Sequence, residues 1–119
     1  MDPAAESISA MYQLQGNAFE ERFRIKAGNI CRSLLEGLVC DPLSDDNLDT
    51  QGRIFVVAQK RIAAAAGLTA DQTEDFASRL DNVVANAIVV IRRCLTKFPD
   101  RRSVEFQLEA AKRLGIPVA

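Results

Sequence analysis

Apolar side chains in the first third of the chain repeat at the spacing of an amphipathic helix. The repeat predicts a helical segment over 3–39, because residues three, four or seven apart lie on the same helix face. Asp2 and Pro3 supply an N-cap and a first helical residue. Unbroken, this helix would be about 55 Å long, so we expect it either to break at Gly16 or Gly28 or to project towards another chain. The stripe consists of Ile8, Tyr12, Phe19, Phe23, Ile30, Leu34 and Leu38.

The remainder of the chain keeps the helical periodicity. A turn-rich loop at 40–47 precedes a helical core at 48–114, and a short tail at 115–119 follows it. The first core helix is predicted over 47–66, with Gly67 as its C-cap glycine. No alternation typical of strands, bounded by hairpin turns, occurs in the sequence. The fold class is therefore all-α: a bundle of four to five helices with a long N-terminal and a long central helix.

The central helix, predicted over 70–98, carries two apolar stripes. A capping box of Thr69 and Gln72 begins it, and Asp100 caps a last helix over 101–114. Two stripes mean burial on two sides, either inside a wrapping of helices from the same chain or partly in a dimer interface. One stripe is Phe76, Leu80, Val83, Ala87, Val90 and Cys94, and the other is Val84, Ile88, Ile91, Leu95 and Phe98. The length of the N-terminal segment favours a homodimer, with its interface at Val84, Ile88, Ile91 and Leu95.

The composition is that of one soluble globular domain, 1–119, that lacks histidine. Hydrophobic residues make up 48% and charged residues 26%, with a formal net charge of −1. Near neutrality removes the strong electrostatic attraction to nucleic acid or an anionic membrane. The missing histidine excludes His-based triads, His general bases and His metal sites. We therefore expect no enzymatic activity, no cofactor and no metal site.

The cysteines and the chain start predict a cytoplasmic protein. Cys31, Cys40 and Cys94 have no CxxC spacing, and two of them lie among apolar residues, as small buried hydrophobes do. Unpaired cysteines are typical of a reducing compartment. The first residues, 1–3, are acidic and lack the basic region followed by an apolar run that is typical of a signal peptide, so none is expected. The longest apolar stretch, 87–91, is far too short for a membrane span.

Two stretches resemble known motifs but lack their chemistry. Residues 59–76 follow the order of a helix-turn-helix, yet the would-be recognition helix begins with the acidic stretch 71–75, which repels phosphates. Residues 45–49 resemble the opening of a calcium loop, but Thr50 and Val56 stand where glycine and a bidentate glutamate are needed. Neither motif is expected to function.

The N-terminal segment is the strongest candidate for contact with another protein. It concentrates aromatic side chains and methionine, which are enriched at the centres of interfaces. The same residues also suit an ordinary core. A second candidate surface for an acidic partner is the cationic stretch 92–102, whose charges also complement the helix dipole. The predicted partner interface is Ile8, Met11, Tyr12, Phe19 and Phe23.

In size, helical make-up and lack of catalytic groups, the chain resembles the QslA-like antiactivators, small helical proteins that restrain LuxR-type quorum-sensing activators. The long segment 8–38 and the doubly apolar segment 76–98 carry the resemblance. It implies a bacterial homodimer that grips the activator's ligand-binding domain and blocks its dimerisation or DNA binding. The alternatives are a helix-turn-helix DNA-binding protein and a structural or assembly subunit of phage or secretion origin.

Overall fold

The computed structural model describes residues 3–40 and 48–117, and these form an α-helical bundle without strands. The predicted fold class is confirmed. The N-cap at Asp2, most of the loop 40–47 and the end of the tail lie outside the described residues. In chain order the helices are α1 (Pro3–Tyr12), α2 (Gly16–Cys40), α3 (Leu48–Ala65), α4 (Ala70–Lys97) and α5 (Val104–Arg113).

The N-terminal segment is two helices, which resolves the question of its length. The chain turns after Tyr12, where the backbone N–H of Leu14 bonds to the carbonyl of Met11 at 3.1 Å. Gly16 then adopts φ +56°, a left-handed conformation that glycine enters without a steric penalty. The helix α2 continues unbroken past Gly28. Because of the corner, α1 folds back to pack on α2 and α3 rather than projecting from the bundle.

The helices α3 and α4 form an antiparallel hairpin around Gly67, which has φ +76°. The capping box at Thr69 and Gln72 is present as predicted. Ion pairs join Asp49 to Arg92 near one end of the hairpin and Lys60 to Asp81 nearer the corner. The two helices therefore lie side by side along most of α3, unlike a helix-turn-helix, whose helices cross at about 90–120°.

The helix α4 is central, since α2, α3 and α5 all pack against it. Its core-facing residues Phe76, Leu80 and Ile91 are completely buried, and both apolar stripes are covered mainly by the chain itself. Its 28 residues account for the long axis of the molecule, which measures 42 Å. Helices of the same chain, rather than a dimer interface, therefore account for most of the burial of the second stripe.

The last helix begins later than predicted. Asp100 accepts a hydrogen bond from the backbone N–H of Arg102 and so closes a preceding turn, while Ser103 is the N-cap of α5. The predicted C-terminal stop is confirmed: Gly115 has φ +72°, and the N–H of Ile116 bonds to the carbonyl of Ala111 at 2.8 Å. This pattern is a Schellman motif. No described helix is long and apolar enough to cross a membrane.

Candidate interaction surfaces

The predicted partner interface divides into two groups. Ile8 and Met11 have exposed fractions of 0% and 1% and belong to the core. Their assignment to a surface was wrong, because the corner at Gly16 lays the apolar face of α1 onto α2 and α3. Tyr12, Phe19 and Phe23 are only partly buried, and the structure brings these three together.

These three aromatic side chains pack with residues of α4 in what we call the aromatic–arginine cluster: Tyr12, Phe19, Phe23, Phe76 and Arg79. The ring of Tyr12 meets those of Phe19 and Phe76 edge to face, with centroids 5.1 and 6.3 Å apart. The Arg79 guanidinium lies 4.8 Å from the Phe19 centroid and 5.2 Å from that of Phe23. Aromatic faces attract cations at such distances, so α4 itself supplies the group that covers the rings.

Two carboxylates complete the cluster. Arg79 donates to both carboxylate oxygens of Glu20, at 3.2 and 3.3 Å, and to Asp75 at 2.9 Å. The Tyr12 hydroxyl donates to the same Asp75 oxygen at 2.7 Å. Burial, followed by the hydrogen bond to Asp75, raises the pKa of Tyr12. The cluster thus joins α1, α2 and α4, and its main hydrogen-bonding and cation–π contacts are made within the chain.

The predicted dimer interface does not form one surface either. Ile91 has an exposed fraction of 0% and faces the core, so its assignment to an interface was wrong. The physical reason is that α2 and α5 also pack on α4. Leu95 is partly buried against the core and away from the groove that Val84 and Ile88 line.

That groove, the hairpin groove, runs along the surface between α3 and α4. It encloses about 480 Å³. On either side of it, Val57 and Val89 remain 48% and 47% exposed, and Ile54 next to Val57 is 63% exposed. The groove is lined by Asp49, Gly52, Arg53, Val56, Val57, Lys60, Asp81, Val84, Ala85, Ile88, Val89 and Arg92.

The floor of the hairpin groove depends on a glycine. A Cβ atom at Gly52 would lie 2.7 Å from Cδ1 of Ile88 and 3.0 Å from Cγ1 of Val84. The absence of a side chain there lets α3 approach α4 closely. A glycine inside a helix is unfavourable by about 1 kcal/mol relative to alanine, so Gly52 could have indicated a close helix contact, but the sequence prediction did not use it.

Charges of both signs frame the hairpin groove. At one end Asp49 binds Arg92 at 2.6 Å, and at the other Lys60 lies 3.8 Å from Asp81. Arg53 lines the groove and has no carboxylate within ion-pair distance among the described residues. The arrangement offers an apolar floor with charged ends, which is suited to a polypeptide surface.

The other sequence candidates do not assemble into a site. The cationic stretch 92–102 is dispersed: Arg92 pairs with Asp49, Lys97 lies 5.2 Å from the Phe98 ring centroid, and Arg101 is buried. Burial raises the pKa of the Cys31 and Cys94 thiols, as expected of structural cysteines, whereas Cys40 is exposed. Within 3–40 and 48–117, no cluster of three or more potential metal ligands occurs.

Comparison with family models, curated proteins and solved structures returns no match for the chain. The apolar floor, flanking valines and charged ends of the hairpin groove make it a candidate interaction surface.

Proposed function

We propose that the chain is a non-enzymatic protein-interaction module that works as a homodimer and inhibits another protein. The observation that carries this proposal is the hairpin groove, in which exposed Val57 and Val89 flank an apolar floor. Exposed apolar patches framed by polar residues are typical of protein contacts. Val84 and Ile88, from the interface expected on sequence grounds, are 4% and 7% exposed and lie in the floor of this groove.

A second copy of the chain is the occupant that the charges favour. A two-fold axis through the middle of the hairpin would place the Asp49 end of one copy against the Lys60 end of the other. Asp49 would then face Lys60 of the second copy, and Arg92 would face Asp81 of the second copy. Such an interface uses the same patch twice, as two-fold dimers do, and the two hairpins would form a four-helix arrangement.

The oligomeric state tests this dimer directly. We expect light scattering to give a dimer for the wild type and a monomer for Val57→Asp or Val89→Asp, since each places a carboxylate in the apolar contact. Val104→Asp is the matched control, because Val104 is 67% exposed on α5, outside the groove. It should remain dimeric. A wild-type protein that remains monomeric at about 100 μM would contradict the proposal, because even a weak, transient dimer would be populated at that concentration. Assembly into a ring or filament would instead favour the alternative of a structural or assembly subunit.

The inhibited protein is proposed to be a transcriptional activator of the LuxR type. The support for this step is the resemblance to small helical antiactivators, because the hairpin groove is assigned to the second copy of the chain. Purified activator should form a stoichiometric complex with the chain and lose its retention of operator DNA in a gel shift. A chain that binds neither this activator nor any protein, but retards duplex DNA by itself at low salt, would favour the DNA-binding alternative.

A further inference from the structure

A second concave region, the basic pocket, lies between α1, α2 and α3 on a part of the surface separate from the hairpin groove. It encloses about 290 Å³, close to the lower end of the range for small-molecule sites. Its lining includes two cations and four neutral hydrogen-bonding side chains. The polar lining residues are Ser7, Arg22, Lys26, Asn29, Ser33 and Gln59.

The charge in the basic pocket is of one sign. Arg22 and Lys26 are four residues apart on α2 and therefore neighbours on one helix face. No carboxylate lines the pocket, and the described part of the chain places none within 4 Å of either cation. The hairpin groove contrasts with this, because it has Asp49 and Asp81 among its lining residues. Two like charges on one helix face repel each other, so a bound anion would relieve the repulsion.

Lys26 is half-buried without a carboxylate partner among the described residues, which also favours binding of an anion. Its side chain is half-buried, and its ammonium lies 5.9 Å from the centroid of the Phe76 ring. Burial lowers the pKa of Lys26, as expected for a cation removed from water without a counter-charge. The ammonium is thus partly removed from water, and a bound anion would restore the lost solvation.

Apolar side chains form the remainder of the wall. Met11 and Ile30 are buried core residues that reach the pocket, Phe55 is partly buried, and Ile25 is exposed. A pocket that combines cations with apolar atoms suits a ligand with the same two-part character. Inorganic ions would leave the apolar wall unused.

We propose that the basic pocket binds a small organic oxyanion, with a carboxylate or phosphate group against Arg22 and Lys26 and a short apolar body against Met11, Ile30 and Phe55. Asn29 and Gln59 provide amide donors for the remaining oxygens. The proposal is independent of the hairpin groove and of the inhibitory function, since its residues lie on other faces of the bundle.

The test is a titration of the full chain followed by two-dimensional amide NMR, with hexanoate, hexyl phosphate and neutral hexan-1-ol as probes. Hexanoate or hexyl phosphate should shift amides around the pocket, and hexan-1-ol should bind at least about tenfold more weakly, because it lacks the charge-assisted hydrogen bonds. Which of the two anions binds tighter identifies the headgroup. Equal binding of hexan-1-ol would overturn the proposal, as would the absence of any shift up to about 10 mM of both anions.

Three variants locate the site. Arg22→Gln and Lys26→Met should each weaken anion binding by about tenfold or more, because each removes one charged donor. Arg24→Gln is the matched control: Arg24 lies on the same helix but is exposed and paired with Glu21 at 2.6 Å. Its affinity should equal that of the wild type. Unchanged affinity in Arg22→Gln and Lys26→Met, or binding of a hexaglutamate peptide with no binding of the small anions, would refute the small-molecule assignment.

Discussion

The aromatic–arginine cluster and the hairpin groove both place apolar side chains at the surface of α4, yet they differ in what covers them. In the cluster, Arg79 lies over two phenylalanine rings and binds Glu20 and Asp75. In the groove, Val57 and Val89 remain about half exposed. A surface rich in aromatic residues is therefore not necessarily available to a partner. Its availability depends on whether side chains of the same chain already cover the aromatic rings.

Removing the innermost ring of the cluster should have the largest effect on stability. Phe76 has an exposed fraction of 0%, so Phe76→Ala is expected to lower the free energy of unfolding by about 3–5 kcal/mol. Urea denaturation monitored by circular dichroism measures this. A loss below about 1 kcal/mol would mean that the cluster is loosely packed, and the contrast with the groove would fail.

Arg79→Ala should have the next largest effect. It removes two cation–π contacts and two ion pairs, but Arg79 and its carboxylate partners are partly exposed. Each contact at such a site contributes at most about 1 kcal/mol, so we expect a loss of about 1–2 kcal/mol in the same urea experiment. Arg92→Ala, which breaks a single exposed ion pair on the groove side, is the control and should cost about 0.5 kcal/mol or less.

Tyr12→Phe tests the hydroxyl of the cluster and its pH dependence. Loss of the bond to Asp75 should lower the free energy of unfolding by about 1 kcal/mol at neutral pH. Because folding raises the pKa of Tyr12, its contribution is fully present below the unfolded-state pKa of about 10 and is lost as pH rises above that value. The variant should therefore lose less stability than the wild type between about pH 10 and 11. If the free energies of unfolding of the wild type and the variant changed in parallel with pH, the pKa of Tyr12 would be the same in the folded and unfolded states.

Val57→Asp should have the smallest effect on the isolated subunit. Val57 is 48% exposed, and valine and aspartate have similar helix propensities. At concentrations where the wild type is monomeric, the free energy of unfolding should change by less than about 0.5 kcal/mol. At higher concentrations the wild-type midpoint should rise with protein concentration, while that of the variant should not. A concentration-independent wild-type midpoint would remove the distinction between groove and cluster.

Local signals in the sequence were sufficient for most of the fold. The capping box at Thr69 and Gln72, the corner at Gly67 and the stop at Gly115 depend on neighbouring residues alone, and all three are present. The start of α5 was harder to predict, because Asp100 and Ser103 both have side chains that cap helices. The Asp100 carboxylate accepts a hydrogen bond within the preceding turn, from the backbone N–H of Arg102. Ser103 therefore caps the helix, and its hydroxyl oxygen accepts a hydrogen bond from the backbone N–H of Phe106.

The surfaces were less predictable, because they depend on contacts between distant parts of the chain. The spacing of Phe19 and Phe23 indicated a shared face but not that Arg79, far along the sequence, would cover it. Val84 and Ile88 were assigned to an interface together with Ile91, since a helix pattern alone cannot assign each stripe to a neighbouring helix. Val57 and Arg53 were missed because nothing in α3 alone distinguishes a groove wall from an ordinary exposed face.

The contacts of Arg79 also bear on the order in which the chain folds. The α3–α4 hairpin joins helices that are adjacent in sequence, so it can form outward from the corner at Gly67, where its first contacts close short loops. Arg79, by contrast, links α4 to Glu20, 59 residues away. Contacts at such separation form late when loop closure limits the rate. We therefore expect the hairpin to assemble first and the N-terminal pair to dock onto it, so that loss of the guanidinium would accelerate unfolding far more than it would slow folding.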